Sequence, residues 1–125
     1  STRWRGQISE NAKSIASVNL FPEMTHNEIV GWQNPGKQVK GLAVIILRDS
    51  GDNPRTAKRM DIVSKIIAGM GVDVIEVNSR GKGLLARIFS LIYIGDYVSL
   101  YLAILYNCDP TPVDRISYLK KEMAG

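Results

Sequence analysis

Gly41-Leu-Ala-Val-Ile-Ile-Leu47, then Arg48-Asp-Ser-Gly-Asp-Asn53, then the helical stretch from Pro54, then Val72-Asp-Val-Ile-Glu-Val77 is the part of the chain that decides the fold. The first run is continuously apolar rather than alternating, as in a parallel strand covered on both faces. Asn53-Pro54 is a helix start, with proline at the first helical position, where its missing N–H costs nothing. Ala57, Met60, Val63, Ile66, Ile67 and Met70 recur at helical spacing and form a core stripe. Gly69 and Gly71 end the helix, and 72–77 supplies a second strand. Residues 41–77 are therefore one βαβ unit, with a crossover expected to be right-handed.

Downstream, Asn78-Ser-Arg-Gly-Lys-Gly83 is a glycine-rich turn opening a long helix. Such a turn can cradle a phosphate or simply join a strand to a helix. It lacks the P-loop pattern, because Lys82 is followed by Gly83. Leu84 to Tyr106 is apolar nearly all round. Arg87 and Asp96 cut it into runs shorter than a membrane span needs, so no membrane partner is expected. Such a helix is expected to be buried, between the sheet and a second domain or subunit. Asp96, in mid-run, then requires a partner. Asp109-Pro-Thr-Pro112 ends the helix, and Thr111-Pro112 is expected to start another, with Val113, Ile116, Leu119 and Met123 as its buried stripe.

Upstream, residues 2–13 are read as a helix in which Trp4, Ile8 and Ala12 recur at four-residue steps. On spacing alone Glu10 is a solvated carboxylate pairing with Lys13 on the same face. Ser14 to Phe21 is a short strand or an extended connection. Thr25 is expected to cap a helix over His26–Trp32, with Glu28 completing a capping box and His26 as the first helical residue. Gln33-Asn-Pro-Gly36 is a turn by composition. His26 is the one histidine in the chain, flanked by Glu23 and Glu28. Imidazole is the side-chain type suited to proton exchange near neutrality. By itself, a lone His just past a proline is more often a helix-start or buried hydrogen-bonding residue than a catalyst.

The 125 residues make one domain, with 45% hydrophobic and 22% charged residues, which excludes a disordered chain. The formal charge of +4 comes from scattered Lys and Arg. With no aromatic-interleaved basic stripe, no nucleic acid partner is expected, whereas a small anionic substrate suits the bias. A single cysteine, Cys108, cannot form an internal disulfide and points to the cytoplasm. The opening Ser1-Thr-Arg-Trp contains no secretory leader and no initiator Met, as in a piece of a longer chain.

Glu10-Asn-Ala-Lys13, Phe21-Pro-Glu-Met-Thr-His-Asn-Glu-Ile-Val-Gly-Trp32, Asp96-Tyr-Val-Ser-Leu-Tyr-Leu102 and Asp109-Pro-Thr-Pro-Val113 with Leu119-Lys120 together resemble one family. It is the C-terminal sugar isomerase (SIS) domain of archaeal-type bifunctional phosphoglucose/phosphomannose isomerases, and the resemblance spans almost the whole chain. It implies an α/β fold, a three-layer α/β/α SIS-type (Rossmann-like) domain with a small parallel sheet that lacks its first strand here. Residues 1–125 would be the C-terminal SIS domain of a longer two-SIS-domain enzyme. The implied reaction interconverts glucose 6-phosphate or mannose 6-phosphate with fructose 6-phosphate through a cis-enediol. By the same resemblance Glu10 is the base, His26 opens the sugar ring, Lys120 (or Lys121) stabilises developing negative charge, and Thr111 leaves room for both C2 epimers. These residue types suit that chemistry, with a carboxylate for a carbon-bound proton, an imidazole for ring opening and a cation beside an enediolate. No cofactor or metal is implied. The implied partners are the hexose 6-phosphate, the N-terminal SIS domain that carries the Ser/Thr phosphate loop missing here, and a second subunit in a homodimer. Two other readings stand beside an isomerase half-site: a non-catalytic SIS module binding a phosphosugar, and a structural piece that mediates dimerisation.

Overall fold

The computed structural model describes residues 1–34 and 36–125. Pro35, within the turn expected at 33–36, lies outside the described residues. The chain divides into two compact units, Asn19–Leu91 and a second formed by Ser1–Val18 with Ile92–Gly125.

The Asn19–Leu91 unit is built on the βαβ element. Strand β1 (Ala43–Arg48) pairs in parallel with β2 (Asp73–Asn78), from Ala43 opposite Asp73 to Arg48 opposite Asn78. Helix α4 (Pro54–Gly69) connects them. Asn53 caps it as expected, its side chain accepting from the Arg55 N–H, with Pro54 next in line. The helix turns back through Gly71, whose φ of +80° is a left-handed geometry that a glycine adopts without a Cβ penalty. Strand β1 starts two residues later than expected because the Gly41 and Leu42 N–H groups close the turn after α3 (Gly36–Val39), donating to Gln38 and Val39. Val63 and Ile67 from α4 meet Met24, Val39 and Val72 in the core, with Phe21, Ile29, Trp32, Val44 and Val74 packed around them. Ile67 is fully buried. Burying side chains of this size stabilises the unit by about 1.5–3 kcal/mol each. Along β1 the apolar residues Val44 to Leu47 are buried or half-buried, as expected of a covered strand, whereas Ile75 on β2 is 51% exposed.

Arg48, at the end of β1, ties the layers together. Its guanidinium donates to Glu76 on β2 and to Asp61 and the Ala57 carbonyl on α4. One residue on, the Asp49 carboxylate accepts from the Ser79 hydroxyl, the Gly51 N–H and Arg87. These donors hold the Asp49 carboxyl below its ordinary value, the serine hydroxyl most strongly.

Of helix α5 (Leu84–Leu105), residues 84–91 belong to the first unit and residues 92–105 to the second. Its buried residues in the second unit are Gly95, Ser99 and Ala103, four apart and therefore on one face. Helix α1 (Thr2–Asn11) lies on that face. Trp4 packs over Gly95, the Arg3 guanidinium grips Asp96 through two bonds of 3.1 and 2.8 Å, and Asn11 Nδ2 donates to Ser99 Oγ at 2.8 Å. The mid-helix carboxylate thus has the partner its position demanded.

The rest of α5 departs from expectation. Phe89 is 62% exposed and Leu105 79%, so most of the apolar surface is uncovered in this chain. By length and hydropathy α5 could cross a bilayer. Its two charged residues are ion-paired, however, and its small-residue seam is filled by α1, which is the packing of a helix against protein. Helix α6 (Asp114–Ala124) corrects two further expectations. Its N-cap is Val113 rather than Thr111, because the Thr111 N–H donates to Asp109 Oδ1 and holds residues 109–111 in a turn. None of its residues is buried, and Met123 is 80% exposed, since no described element covers its apolar stripe.

Candidate functional site

In the unit that contains α1, an open pocket of about 340 Å³ is lined by Asn11, Asp96, Tyr97, Leu100, Pro110 and Thr111. Three elements make it: the C-terminal end of α1, the middle of α5, and the turn between α5 and α6. Each is fastened to the next. Asn11 is held by Ser99, whose own hydroxyl donates to the Asp96 carbonyl, so a fully buried hydroxyl has both its donor and its acceptor role filled. The Asn11 carbonyl accepts from Cys108 Sγ at 3.7 Å, just before the turn. Cys108 is half-buried and used as a weak donor. The Asp109 carboxyl is drawn below its ordinary value by the Thr111 N–H and hydroxyl, with a further contribution from the Lys13 charge.

Glu10 precedes Asn11 on the last turn of α1 and is exposed. The expected pairing with Lys13 takes another form. Lys13 Nζ donates to the backbone carbonyl of Glu10 at 2.6 Å and to that of Pro110 at 3.3 Å. The reason is local: the helix ends at Asn11, and Lys13 takes a left-handed φ of 54°, which directs its side chain to the carbonyls of the helix end. Among the described residues the Glu10 carboxylate carries no ion pair. Thr111 forms part of the pocket wall, so Glu10 and Thr111 are brought to the same place through Asn11 and Lys13. Lys120 and Lys121 are both exposed on α6, the helix that leaves the Thr111 turn, with no hydrogen bond or ion pair among the described residues.

His26 belongs to the other unit. It is exposed, and it is not the first residue of a helix. Residues Glu23–Thr25 form a 3-10 turn that His26 closes, its N–H donating to Glu23 O at 3.0 Å. The Thr25 hydroxyl is spent on the Pro22 carbonyl, so Asn27 takes the capping role for α2 (Glu28–Gly31), accepting from the Glu28 N–H at 2.6 Å. Asn27 Nδ2 reaches back to Glu23, and Glu28 accepts from Asn19, so both acids that flank the histidine have partners other than the imidazole. The backbone around His26 is fixed by these bonds, and its side chain is presented to solvent.

Sequence reasoning did not single out Asn11, Tyr97 or Leu100 as pocket walls. The available signal was the Gly95, Ser99, Ala103 spacing. Three small residues at four-residue steps mark where a second helix can approach closely, and the pocket lies at the edge of that seam.

Comparison with known proteins agrees along nearly the whole chain. The family model described as "Bacterial phospho-glucose isomerase C-terminal SIS domain" matches residues 1–123. A bifunctional phosphoglucose/phosphomannose isomerase of Caldicellulosiruptor bescii is 53% identical over 123 residues, covering 98% of this chain and 36% of the relative. One from Aquifex aeolicus is 42% identical over 121 residues, covering 97% and 38%. The chain thus spans little more than a third of the length of these relatives. Among solved structures, a glucose-6-phosphate isomerase like protein from Thermus thermophilus superposes with a TM-score of 0.67 at 25% identity, covering 86% of this chain and 35% of that one.

Proposed function

The chain belongs to the bacterial phospho-glucose isomerase C-terminal SIS domain family, and from that premise we propose that it supplies the proton-transfer groups of an aldose–ketose isomerase. The substrates are glucose 6-phosphate or mannose 6-phosphate on one side and fructose 6-phosphate on the other. Glu10 acts as the base. Its carboxylate removes the proton on C2 of the open-chain aldose, and the electron pair moves onto O1, which takes up a proton to give a cis-enediol. The same carboxyl returns the proton to C1 while the O2 hydroxyl gives up its proton, leaving the ketose. No redox partner is needed, because the two carbons exchange oxidation states. His26 opens the ring by proton transfer at the ring oxygen. Lys120, or Lys121 beside it, places a positive charge near the enediolate oxygen, an electrostatic contribution that grows as negative charge develops. Thr111, on the pocket wall, presents a small side chain where the two C2 epimers differ.

The observation that carries this reading is the state of Glu10. A carboxylate three residues from a lysine is expected to be neutralised by it, yet the ammonium is engaged with two backbone carbonyls. The carboxylate is left unpaired among the described residues, on the residue before Asn11, which lines a pocket of about 340 Å³, a volume suited to a hexose. A free carboxylate on a rigid helix end is what carbon-acid chemistry requires.

The complete enzyme is proposed to add the rest: a further SIS domain that holds the phosphate, and a second subunit. The uncovered apolar faces of α5 and α6 support this, since residues such as Phe89, Leu105 and Met123 gain most by being covered. On this reading residues 1–125 are inactive alone, and the enzyme works in the cytoplasm, where sugar phosphates are made and used.

The test is Glu10→Gln in the complete polypeptide. Deuterium exchange at C2 of glucose 6-phosphate in D2O should fall by about two to four orders of magnitude, with sugar phosphate binding nearly intact. Wild-type exchange in that variant would sink the assignment. A wild-type protein that binds fructose 6-phosphate without turning it over would instead be a phosphosugar-binding module.

A further inference from the structure

Resting on the isomerase reading, we propose that Lys13 is a positioning residue that holds the Glu10 helix end against the Thr111 wall of the pocket. Its backbone is the first sign. Lys13 follows the C-cap Ala12 in a left-handed conformation, φ 54°, where glycine is the usual occupant. A residue with a Cβ costs roughly 1–2 kcal/mol there, a strain that the contacts of the lysine side chain offset.

The side chain shows what that use is. One ammonium has three donors, and two are placed on carbonyls of different elements: Glu10 at the end of α1 and Pro110 in the turn before Thr111. The Glu10 carbonyl is one of the four that a helix end leaves without an internal partner, and it lies at the negative end of the helix dipole, where a cation is favoured. The third neighbour is Asp109, whose carboxyl feels the Lys13 charge and is itself bonded to Thr111. Lys13 therefore gathers the base-bearing helix end and the pocket turn around a single charge, and it leaves the Glu10 carboxylate out of that cluster.

Lys13 touches no reacting atom, so its effect passes through Glu10 and Thr111. Displacement of a base by about 1 Å costs up to roughly a hundredfold in rate, and that loss falls on the chemical step. A lysine that only capped α1 would behave differently. Replacing it with glycine would remove the backbone strain and leave catalysis alone.

The experiment is steady-state kinetics of fructose 6-phosphate formation by the complete polypeptide carrying Lys13→Gly or Lys13→Arg, with melting temperatures measured alongside. The expected result for Lys13→Gly is a melting temperature at or above wild type and a kcat lower by roughly tenfold or more, with KM little changed. Lys13→Arg, which can still donate to both carbonyls, should recover most of the kcat. An unchanged kcat in Lys13→Gly overturns the inference while leaving the isomerase reading standing. A fall in kcat accompanied by a melting temperature below wild type assigns Lys13 a structural role only and also overturns it. Absence of turnover in the wild-type polypeptide overturns both.

Discussion

Replacing Gly95 by alanine tests the placement of the helix that bears Glu10. A Cβ at position 95 would lie 2.5 Å from both Cε2 and Nε1 of Trp4 and 2.7 Å from its Cδ1. Ordinary carbon contacts are about 3.5–4.0 Å, so the overlap is roughly 1 Å against the flat of a rigid ring. Trp4 is only 6% exposed and cannot swing away, so relief requires α1 to lift from α5. Overpacking of this kind costs about 1–3 kcal/mol, and a rigid indole puts this case in the upper half of that range. Alanine returns about 1 kcal/mol through its higher helix propensity. The net destabilisation is therefore about 1–2 kcal/mol, read as a shift in urea midpoint at unchanged slope. Because α1 also carries Glu10 and Asn11, kcat should fall with it. Combining Gly95→Ala with Trp4→Val should cost less than the sum of the two single changes, by about the energy of the clash. A Gly95→Ala protein more stable than wild type would show the helix-propensity gain without the clash and would refute this packing of α1 on α5.

In the other unit, Asp49 makes stability depend on acid. Its folded value is depressed, so its contribution is complete above the ordinary carboxylate value of 3.8 and is lost as pH falls through the lower folded value. Melting temperatures of Asp49→Asn should therefore be lower than wild type near neutrality, with the gap closing in acid; a gap that stays constant with pH would contradict the Ser79, Gly51 and Arg87 bonds. Gly71→Ala places a Cβ in a left-handed turn with open space around it, Lys40 Cε being 3.7 Å away. The cost is backbone strain alone, about 1 kcal/mol in chemical denaturation, and no loss of stability would mean the turn after α4 has another geometry.

The sequence by itself determined the βαβ unit, because strand and helix periods, the Asn53-Pro54 start and the Gly71 stop are all local and agree with one another. It also carried the family, through runs such as His26-Asn-Glu-Ile-Val-Gly-Trp32 that match as whole words. What it could not decide were choices between partners of nearly equal local merit. Thr25 and Asn27 are both good caps, and Asn27 takes the role because the Thr25 hydroxyl goes to Pro22. Thr111 is as good a cap as Val113 is a poor one, yet its N–H is taken by Asp109. The apolar stripes of α5 and α6 were legible, but a stripe does not say what covers it, and in this chain most of it stays uncovered. The site follows the same division. The family resemblance named Glu10, and spacing suggested Lys13 as the neutraliser of its carboxylate. Only the tertiary structure could send that ammonium to the Glu10 and Pro110 carbonyls instead, because Pro110 is nearly a hundred residues away in sequence and arrives by folding.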